Sequence, residues 1–244
     1  MSTVIKIKDQ ERFLNINRLH NSGNRDDIKP DQAYREYKWI KAALARLITV
    51  LKLDPDIVER IADWIDQDSV GEHEEGARNV SLTTIDEMLQ IPGITTAILY
   101  GTSGEESNNS AGLAGYITLW GTAKININTA PEEILESISD KIDQQKATDI
   151  VNYRKDNPFT LLEDLTKVTH GDGGAPVLEK IFDKDEGDKN LKDHLTVSST
   201  YFEVSIEATK GHMRMHVEAV VRRDGSPVTG DTIVRQLFWK ERQM

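Results

Sequence analysis

The segment from Lys124 to Val168 constrains the fold of this 244-residue chain more than any other part of the sequence. It opens with Ile125 to Pro131, a run that predicts a strand followed at once by a helix. Thr129 is the expected N-cap, with its hydroxyl accepting a hydrogen bond from the first turn, and Pro131 fits early in that turn, where no N–H is needed. The segment ends with a third short helix, predicted from Leu161 to Val168.

These short helices resemble a helix-hairpin-helix unit, which usually binds nucleic acid. Such a unit holds phosphate through backbone N–H groups and needs glycine for close approach. The hairpin Ser139 to Gln144 has no glycine and two carboxylates, and the hairpin-like Ile91 to Ile94 has a glycine but little basic flank. The net charge of -11 also disfavours phosphate contacts. The sequence predicts helical packing modules without nucleic acid, and a nucleic-acid-binding module of the DNA-uptake type is the alternative.

The composition excludes several functional classes. There are no cysteines, which excludes a disulfide framework, a thiolate metal site and a cysteine nucleophile. No apolar run approaches the roughly 20 residues that span a bilayer, and the first residues do not form a signal peptide. Common enzyme signatures, such as Gly-x-Ser-x-Gly, a P-loop and His-Glu-x-x-His, are missing. The sequence therefore predicts a protein that acts by contact and is not an enzyme.

The two ends of the chain predict strands. Val4 to Lys8 alternates apolar and polar residues, as a strand with one buried face does. Three later runs are rich in Val, Ile, Thr and aromatic residues: Leu195 to Ser205, Met213 to Val221 and Thr232 to Trp239. They predict a three-stranded antiparallel meander that the N-terminal strand is free to join.

The middle of the chain predicts helices. Apolar residues recur at helical spacing from Asp31 to Leu53. A second helix is expected to start with Asp54 as N-cap and Pro55 in its first position, and Thr83 or Thr84 is expected to cap another. Gly101 to Gly115 predicts a loop. The fold class is therefore α+β, a small antiparallel sheet with a large helical insertion. A sheet this small needs a cover, which the inserted helices or a helix upstream of Met1 could provide.

The order of these features resembles protein K of the bacterial type II (general) secretion pathway, a minor pseudopilin family. The similarity covers nearly the whole chain, and the Asn-x-Asn-Thr-Ala-Pro junction is its most specific part. It is carried by five stretches: Asp9 to Leu19, Ile61 to Asp68, Leu82 to Ile94, Lys124 to Glu133, and Ser198 to Phe202 with Leu237 to Trp239.

The resemblance implies a pilin-like antiparallel sheet with an inserted helical domain of two sterile-alpha-motif-like (SAM-like, helix-hairpin-helix-like) units. The expected boundaries are 1–19 for the first strand, 20–123 and 124–190 for the two helical units, and 191–244 for the remaining strands. It further implies the periplasmic domain of a protein anchored in the bacterial inner membrane through an N-terminal helix that this sequence lacks.

The function implied is that of a subunit at the tip of the type II secretion pseudopilus, which initiates or caps the filament and supports protein export across the outer membrane. The implied partners are the minor pseudopilins I and J, other pseudopilus subunits, and exported proteins or the secretin. Nucleic acid is not among them.

One acidic segment is a candidate ligand site. Calcium takes six to eight oxygen ligands on a loop that can wrap around the ion. Asp66 and Asp68, followed by Gly71 and the clustered glutamates, could supply them, which makes the candidate ligands Asp66, Asp68, Glu72, Glu74 and Glu75. The family resemblance also implies calcium here, although Arg78 and Asn79 replace two expected carboxylates. The alternative is a solvated acidic loop.

Overall fold

The computed structural model describes residues 2–21, 32–102, 110–171, 174, 176–177, 191–225 and 232–243. The chain divides into two compact units. The first, the sheet unit, contains Met1–Glu11 and Ser198–Met244, and the second, the helical unit, contains Arg12–Val197. The helical unit therefore starts at Arg12, before the expected boundary after residue 19, and ends at Val197, beyond the expected boundary after residue 190.

The sheet unit contains one four-stranded antiparallel sheet. Its strands are β1 (Ser2–Asp9), β8 (Tyr201–Lys210), β9 (Met213–Asp224) and β10 (Ile233–Gln243), in the spatial order β1-β8-β9-β10. The prediction that the N-terminal strand joins the C-terminal strands is confirmed. Gly211, at φ +62°, forms the turn between β8 and β9 because it adopts a left-handed conformation without strain.

The two faces of this sheet differ in chemistry. Residues that pair across antiparallel strands point to the same face, so the register places Ile5 with Ile206, Val217 and, one strand further, Glu241. The same face carries most of the large apolar side chains of the sheet: Ile7, Phe202, Val204, Val221 and Trp239. Ile5 is 61% exposed, Ile7 69% and Trp239 51%. This apolar face is therefore open to solvent along both edge strands.

The helical unit consists of short helices and short strand pairs. The helices are α1 (Gln32–Val50), α2 (Ile57–Ile65), α3 (Thr96–Tyr100), α4 (Glu132–Ser137) and α5 (Gln144–Asp156), with 3-10 turns at Ile16–Asn21, Ile85–Gln90, Leu113–Gly115, Leu162–Lys167 and Leu191–His194. The strands are β2 (Leu14–Asn15), β3 (Gly101–Thr102), β4 (Ser110–Ala111), β5 (Ile117–Thr118), β6 (Ile125–Asn126) and β7 (Leu195–Thr196). They pair as β2 with β5, β3 with β4, and β6 with β7.

Three predicted boundaries differ from the structure. The predicted strand from Leu195 is divided, because Leu195–Thr196 pairs with β6 in the helical unit. Helix α2 starts at Ile57, because the Asp54 carboxylate accepts a hydrogen bond from Asp56 N and holds a turn ahead of the helix. The apolar residues from Phe13 to Leu19 predict an extended segment, but only Leu14–Asn15 forms a strand and Ile16–Asn21 forms a 3-10 turn. Within the predicted loop 101–115, residues 103–109 lie outside the described residues.

Thr129 was expected to be the N-cap of α4, and this prediction is wrong. Its hydroxyl donates to the Asn126 carbonyl oxygen at 3.5 Å, and its N–H bonds the same carbonyl at 3.1 Å. Residues 126–130 thus form a turn of their own, and the helix begins after Pro131. Glu132 and Glu133 occupy the first turn, where they complement the helix dipole.

One hydrogen-bonding pattern occurs twice in the helical unit. Asn17 N donates to Asn15 Oδ1 at 3.1 Å, and Asn128 N donates to Asn126 Oδ1 at 3.0 Å. The side chains of Asn17 and Asn128 each reach three backbone groups: Leu82 N, Leu82 O and Leu119 O for the first, and Phe159 N, Phe159 O and Val197 O for the second. The helical unit therefore contains the same asparagine junction twice.

The helical unit has an apolar core. Helix α1 buries the face that carries Ile40, Leu44 and Leu47, and α2 buries Ile61 and Ile65. Within the described part of the chain, no helix combines the length and apolarity needed to cross a membrane.

Candidate metal centre

The acidic segment singled out in the sequence follows directly on α2. Helix α2 ends at Ile65, and Asp66 continues in an extended conformation while its N–H still bonds the Ala62 carbonyl. The chain then passes through a loop that returns to the helix at Asn79, whose N–H bonds the Trp64 carbonyl at 3.1 Å. The loop is thus closed against the end of α2 by main-chain bonds at both of its ends.

Three of the five predicted ligands come together in this loop. Asp66, Asp68 and Glu74 each offer a carboxylate oxygen, and these oxygens lie within 4.8 Å of one another. Asp66 is buried, at 2% exposure, and the other two are half-buried. Three carboxylates at this spacing repel one another unless a cation or protons compensate them.

Three buried oxygen atoms in this loop have no hydrogen-bond donor. Asp66 Oδ1, Glu74 Oε1 and Asn79 Oδ1 are buried and accept no hydrogen bond. Each such oxygen costs about 1–3 kcal/mol if nothing satisfies it. Oxygens from carboxylates and amides are the ligands that calcium prefers, so this set fits a hard divalent cation.

The pKa of Asp66 is raised by its burial and by the nearby negative charges. Burial, and after it the negative charges of Asp68, Glu74 and Asp63, raise the pKa of this carboxyl to about 7. The Lys41 ammonium acts in the opposite direction and does not compensate for them. A metal ion bound here would reverse this effect, because it stabilises the ionised carboxylate.

A network behind the carboxylates holds the loop in shape. Asn79, at φ +52°, donates through Nδ2 to the Asp68 carbonyl at 2.8 Å and to Glu74 Oε2 at 3.5 Å. Asp63 Oδ2 accepts from His73 N at 2.9 Å. Gly71 leaves room for that carboxylate, because a Cβ there would lie 2.1 Å from Asp63 Oδ2. These contacts fix the backbone on both sides of the cluster.

The remaining predicted ligands lie elsewhere. Glu72 and Glu75 are exposed and are not part of the three-carboxylate cluster. Glu72 and Asp66 both line a neighbouring cavity of about 460 Å³. Solvent and ions can therefore approach the cluster from that side. Asn79 was noted in the sequence only as a replaced carboxylate. Its amide oxygen is itself a ligand type for calcium, and that chemistry was the signal that could have identified it.

Three backbone amides at the hairpin between α4 and α5 are hydrogen-bonded within the protein. Ile142 N bonds Ser139 O, Lys141 N bonds Ser139 Oγ, and Lys146 N bonds Asp143 Oδ1. The Asp140 carboxylate lies at this corner, paired with Arg46 at 3.5 Å. The hairpin contacts therefore favour a packing role, as the sequence predicted.

The two units define the class of the protein: an α+β protein in which a helical unit is inserted between the first strand of an antiparallel sheet and the remaining three strands. Residues 125–182 match the family model described as type II secretion system (T2SS), protein K. The predicted resemblance to protein K of the type II secretion system is thereby confirmed.

A solved structure has the same fold. The chain is similar to a chain in the crystal structure of the GspK-GspI-GspJ complex of the type 2 secretion system from enterotoxigenic Escherichia coli, with 19% sequence identity and a TM-score of 0.62. The similarity covers 98% of this chain and 79% of that one. A comparison with curated proteins finds no match.

Proposed function

We propose that the protein is a minor pseudopilin of a type II secretion system, and that it acts by contact and not by catalysis. The observation that carries this proposal is the fold similarity, which extends over 98% of the chain to a component of a solved GspK-GspI-GspJ complex. The family match over residues 125–182 supports the same assignment independently.

The partners that follow from this proposal are minor pseudopilins of the I and J type. The solved relative was crystallised with GspI and GspJ, and the open apolar face of the present sheet offers a surface for such contacts. The test is size-exclusion chromatography of an equimolar mixture with the periplasmic domains of I and J from the same genome. Co-elution as one earlier peak supports the proposal, and three unshifted peaks contradict it.

The open face of the sheet also supports a membrane-anchored form. Ile5 and Ile7 on β1 and Trp239 on β10 present exposed apolar side chains on the same face, at the two edge strands of the sheet. An apolar N-terminal helix of the kind that the resemblance implies would cover it and would place this domain in the periplasm, attached to the inner membrane. Fractionation of cells that express the full gene product tests this placement, because the protein should stay with inner membranes in high salt.

The helical unit supports a position at the filament tip. It supplies most of the chain, from Arg12 to Val197, at the point where a simple sheet domain would have only a connection. We propose that the helical unit consists of two SAM-like, helix-hairpin-helix-like modules. We further propose that this bulk prevents addition of a subunit above, so that the protein initiates and caps the pseudopilus and supports export. Deletion of residues 12–197 with a short linker should yield longer pseudopili if this holds, and unchanged lengths would contradict it.

We also propose that the helical unit binds calcium through Asp66, Asp68, Glu74 and the Asn79 amide oxygen. The three buried oxygens without donors support this proposal more directly than the carboxylate cluster alone. Calorimetric titration of calcium into chelator-treated protein tests it. Wild type should release or absorb heat and melt at a higher temperature, Asp66→Asn should bind at least tenfold more weakly, and Glu75→Gln, an exposed neighbour, should bind like wild type.

A further inference from the structure

Among the described residues, the cavity beside the carboxylate cluster is lined by four carboxylates and one ammonium group. Its volume is about 460 Å³, and Asp66 belongs both to its lining and to the cluster. The other carboxylates are those of Glu59, Asp63 and Glu72, and the ammonium group is that of Lys41. Within this lining, Lys41 is therefore the residue that opposes the charge of the four acids.

Helical spacing places these charges opposite one another. Tyr37 and Lys41 are one turn apart on α1, and Glu59, Asp63 and Asp66 follow one another along α2 and its C-terminal end. Residues three or four positions apart share one face of a helix. Lys41 thus lies across the cavity from a row of three carboxylates, with Glu59 at one end and Asp66 at the end next to the metal ligands.

The Lys41 ammonium is held at the Glu59 end of this row. Lys41 Nζ donates to Glu59 Oε2 at 2.7 Å and lies 5.9 Å from the centre of the Tyr37 ring. Burial lowers the pKa of Lys41, but its hydrogen bond to Glu59 and its interactions with Tyr37 outweigh this effect and raise the pKa above its ordinary value. The group therefore stays charged at neutral pH.

The Lys41 charge nevertheless acts on Asp66. Burial and the neighbouring carboxylates raise the pKa of Asp66, whereas the Lys41 ammonium lowers it. A metal ion bound to Asp66 would be repelled by the same ammonium, because like charges repel over this range. The flexible four-carbon stem of a lysine lets its ammonium turn to another carboxylate of the row when the Glu59 acceptor is removed.

We propose that Lys41 and Glu59 are a positioning pair for calcium: Lys41 limits the affinity of the site by its charge, and Glu59 keeps that charge away from Asp66. This inference rests on the calcium binding proposed above and adds two residues that do not contact the ion. The affinity of the site is then set from outside its ligands, by the place at which one ammonium group is held.

Calorimetric titration of calcium into chelator-treated protein tests this pair, at pH 8, above the pKa of Asp66, and at an ionic strength of about 0.1 M. Lys41→Met removes the charge and should bind calcium about three- to tenfold more tightly than wild type. Glu59→Gln should bind it about three- to tenfold more weakly, because the released ammonium turns towards Asp66. Lys38→Met is the matched control, an exposed lysine of α1 that lies 5.0 Å from the centre of the Tyr34 ring, and it should bind like wild type.

Two further variants separate the charge of Lys41 from its packing. Lys41→Arg keeps the charge, so it should bind calcium like wild type and not like Lys41→Met. When Glu59→Gln is added to Lys41→Met, it should weaken binding by less than about twofold, because no ammonium is left to move. An equal loss in both backgrounds would mean that Glu59 acts through its own charge, which contradicts its positioning role.

The outcomes distinguish this inference from the calcium proposal itself. Calcium affinities of Lys41→Met and wild type that are equal would overturn the inference and leave the calcium site standing. Binding that is tightened as much by Lys38→Met or by Lys41→Arg would overturn it as well. A wild type that binds no calcium contradicts the proposed site and the positioning pair together.

Discussion

Asn17 and Asn128, which are separated by most of the helical unit, bind the backbone in the same way. Each amide nitrogen donates to two carbonyls, at 2.8 and 3.2 Å for Asn17 and at 2.9 and 2.9 Å for Asn128, and each amide oxygen accepts one backbone N–H. Each residue therefore joins three chain segments that are distant in sequence. Both asparagines are the last residue of an x-Asn-Ile-Asn sequence, which is the local signature of this junction.

Asn128→Ala should destabilise the helical unit by about 2–3 kcal/mol, because it leaves Phe159 N and two carbonyls without their partner. Asn17→Ala should cost a similar amount, since its three contacts are equivalent. Urea denaturation followed by circular dichroism measures both changes. Asn152→Ala, at an exposed position of α5, is the control and should stay within about 0.5 kcal/mol of wild type. If Asn17→Ala and Asn128→Ala are as stable as the control, these junctions do not stabilise the helical unit.

The order of elements followed from the sequence because it depends on local patterns. The strand at Val4 to Lys8, its pairing with β8 and the helical periodicity of α1 are all found in the structure. The buried face that the alternation predicted for this strand is not, because both faces of Ser2 to Lys8 are exposed at the edge of the sheet. The N-cap of α4 was predicted wrongly because a turn centred on Asn126 and a helix cap compete for the Thr129 hydroxyl. Asn126 holds residues 128–130 in a turn, and that turn uses the Thr129 hydroxyl before the helix begins.

The carboxylate cluster was predictable only in part. The sequence identifies acidic residues, but it does not show which carboxylates turn inward. Asp66 is buried because it terminates a helix whose preceding residues pack in the core, whereas Glu72 and Glu75 lie on the outer side of the loop. Asn79 was overlooked because its role depends on a left-handed backbone conformation that returns it to α2.

His194 should make stability depend on pH. Its ring stacks on Trp39 with centroids 4.3 Å apart, and burial lowers its pKa from 6.5 to about 4, while Asp193 and Lys124 act in opposite directions. Between these pH values the unfolded chain binds a proton that the folded chain does not. Stability should therefore fall as the pH decreases from about 6.5 to about 4, by at most about 3 kcal/mol.

His194→Phe separates this effect from other titrations, because the ring keeps its stacking on Trp39 and loses its proton. Urea denaturation at several pH values should show a shallower loss of stability in this variant. His212→Gln, at an exposed turn of the sheet unit, should retain the wild-type slope. An unchanged slope in His194→Phe would assign the acid sensitivity to other groups.

Gly71→Ala should weaken calcium binding without touching a ligand. The new Cβ would lie 2.1 Å from Asp63 Oδ2, so this carboxylate must move and release His73 N, the residue before Glu74. Isothermal titration should show at least a tenfold loss of calcium affinity. Gly115→Ala is the matched control, since nothing lies within 4 Å of a Cβ there. Equal affinities in the two variants would mean that the loop adjusts without disturbing the cluster.

The open face of the sheet should tolerate polar substitution where a core position does not. Ile7 is 69% exposed, so Ile7→Thr keeps a strand-forming residue and should change the free energy of unfolding by no more than about 0.5 kcal/mol. Val220→Thr is the contrast, because that side chain is 3% exposed and its buried hydroxyl should cost about 1–3 kcal/mol. Ile7→Thr should also reduce the fluorescence of a dye that binds apolar surfaces, whereas Val220→Thr should not.

Urea denaturation and dye fluorescence on the same samples show whether the apolar face that carries Ile7 is exposed in the domain. A loss of stability in Ile7→Thr as large as in Val220→Thr would mean that the face is already covered within the domain. The expected result, a neutral variant with less dye bound, would mean that the apolar residues of this face contribute little to the isolated domain. Their stabilising contact would then have to come from a helix or a partner that docks on the sheet, because isolated domains seldom expose a contiguous apolar patch without such a use.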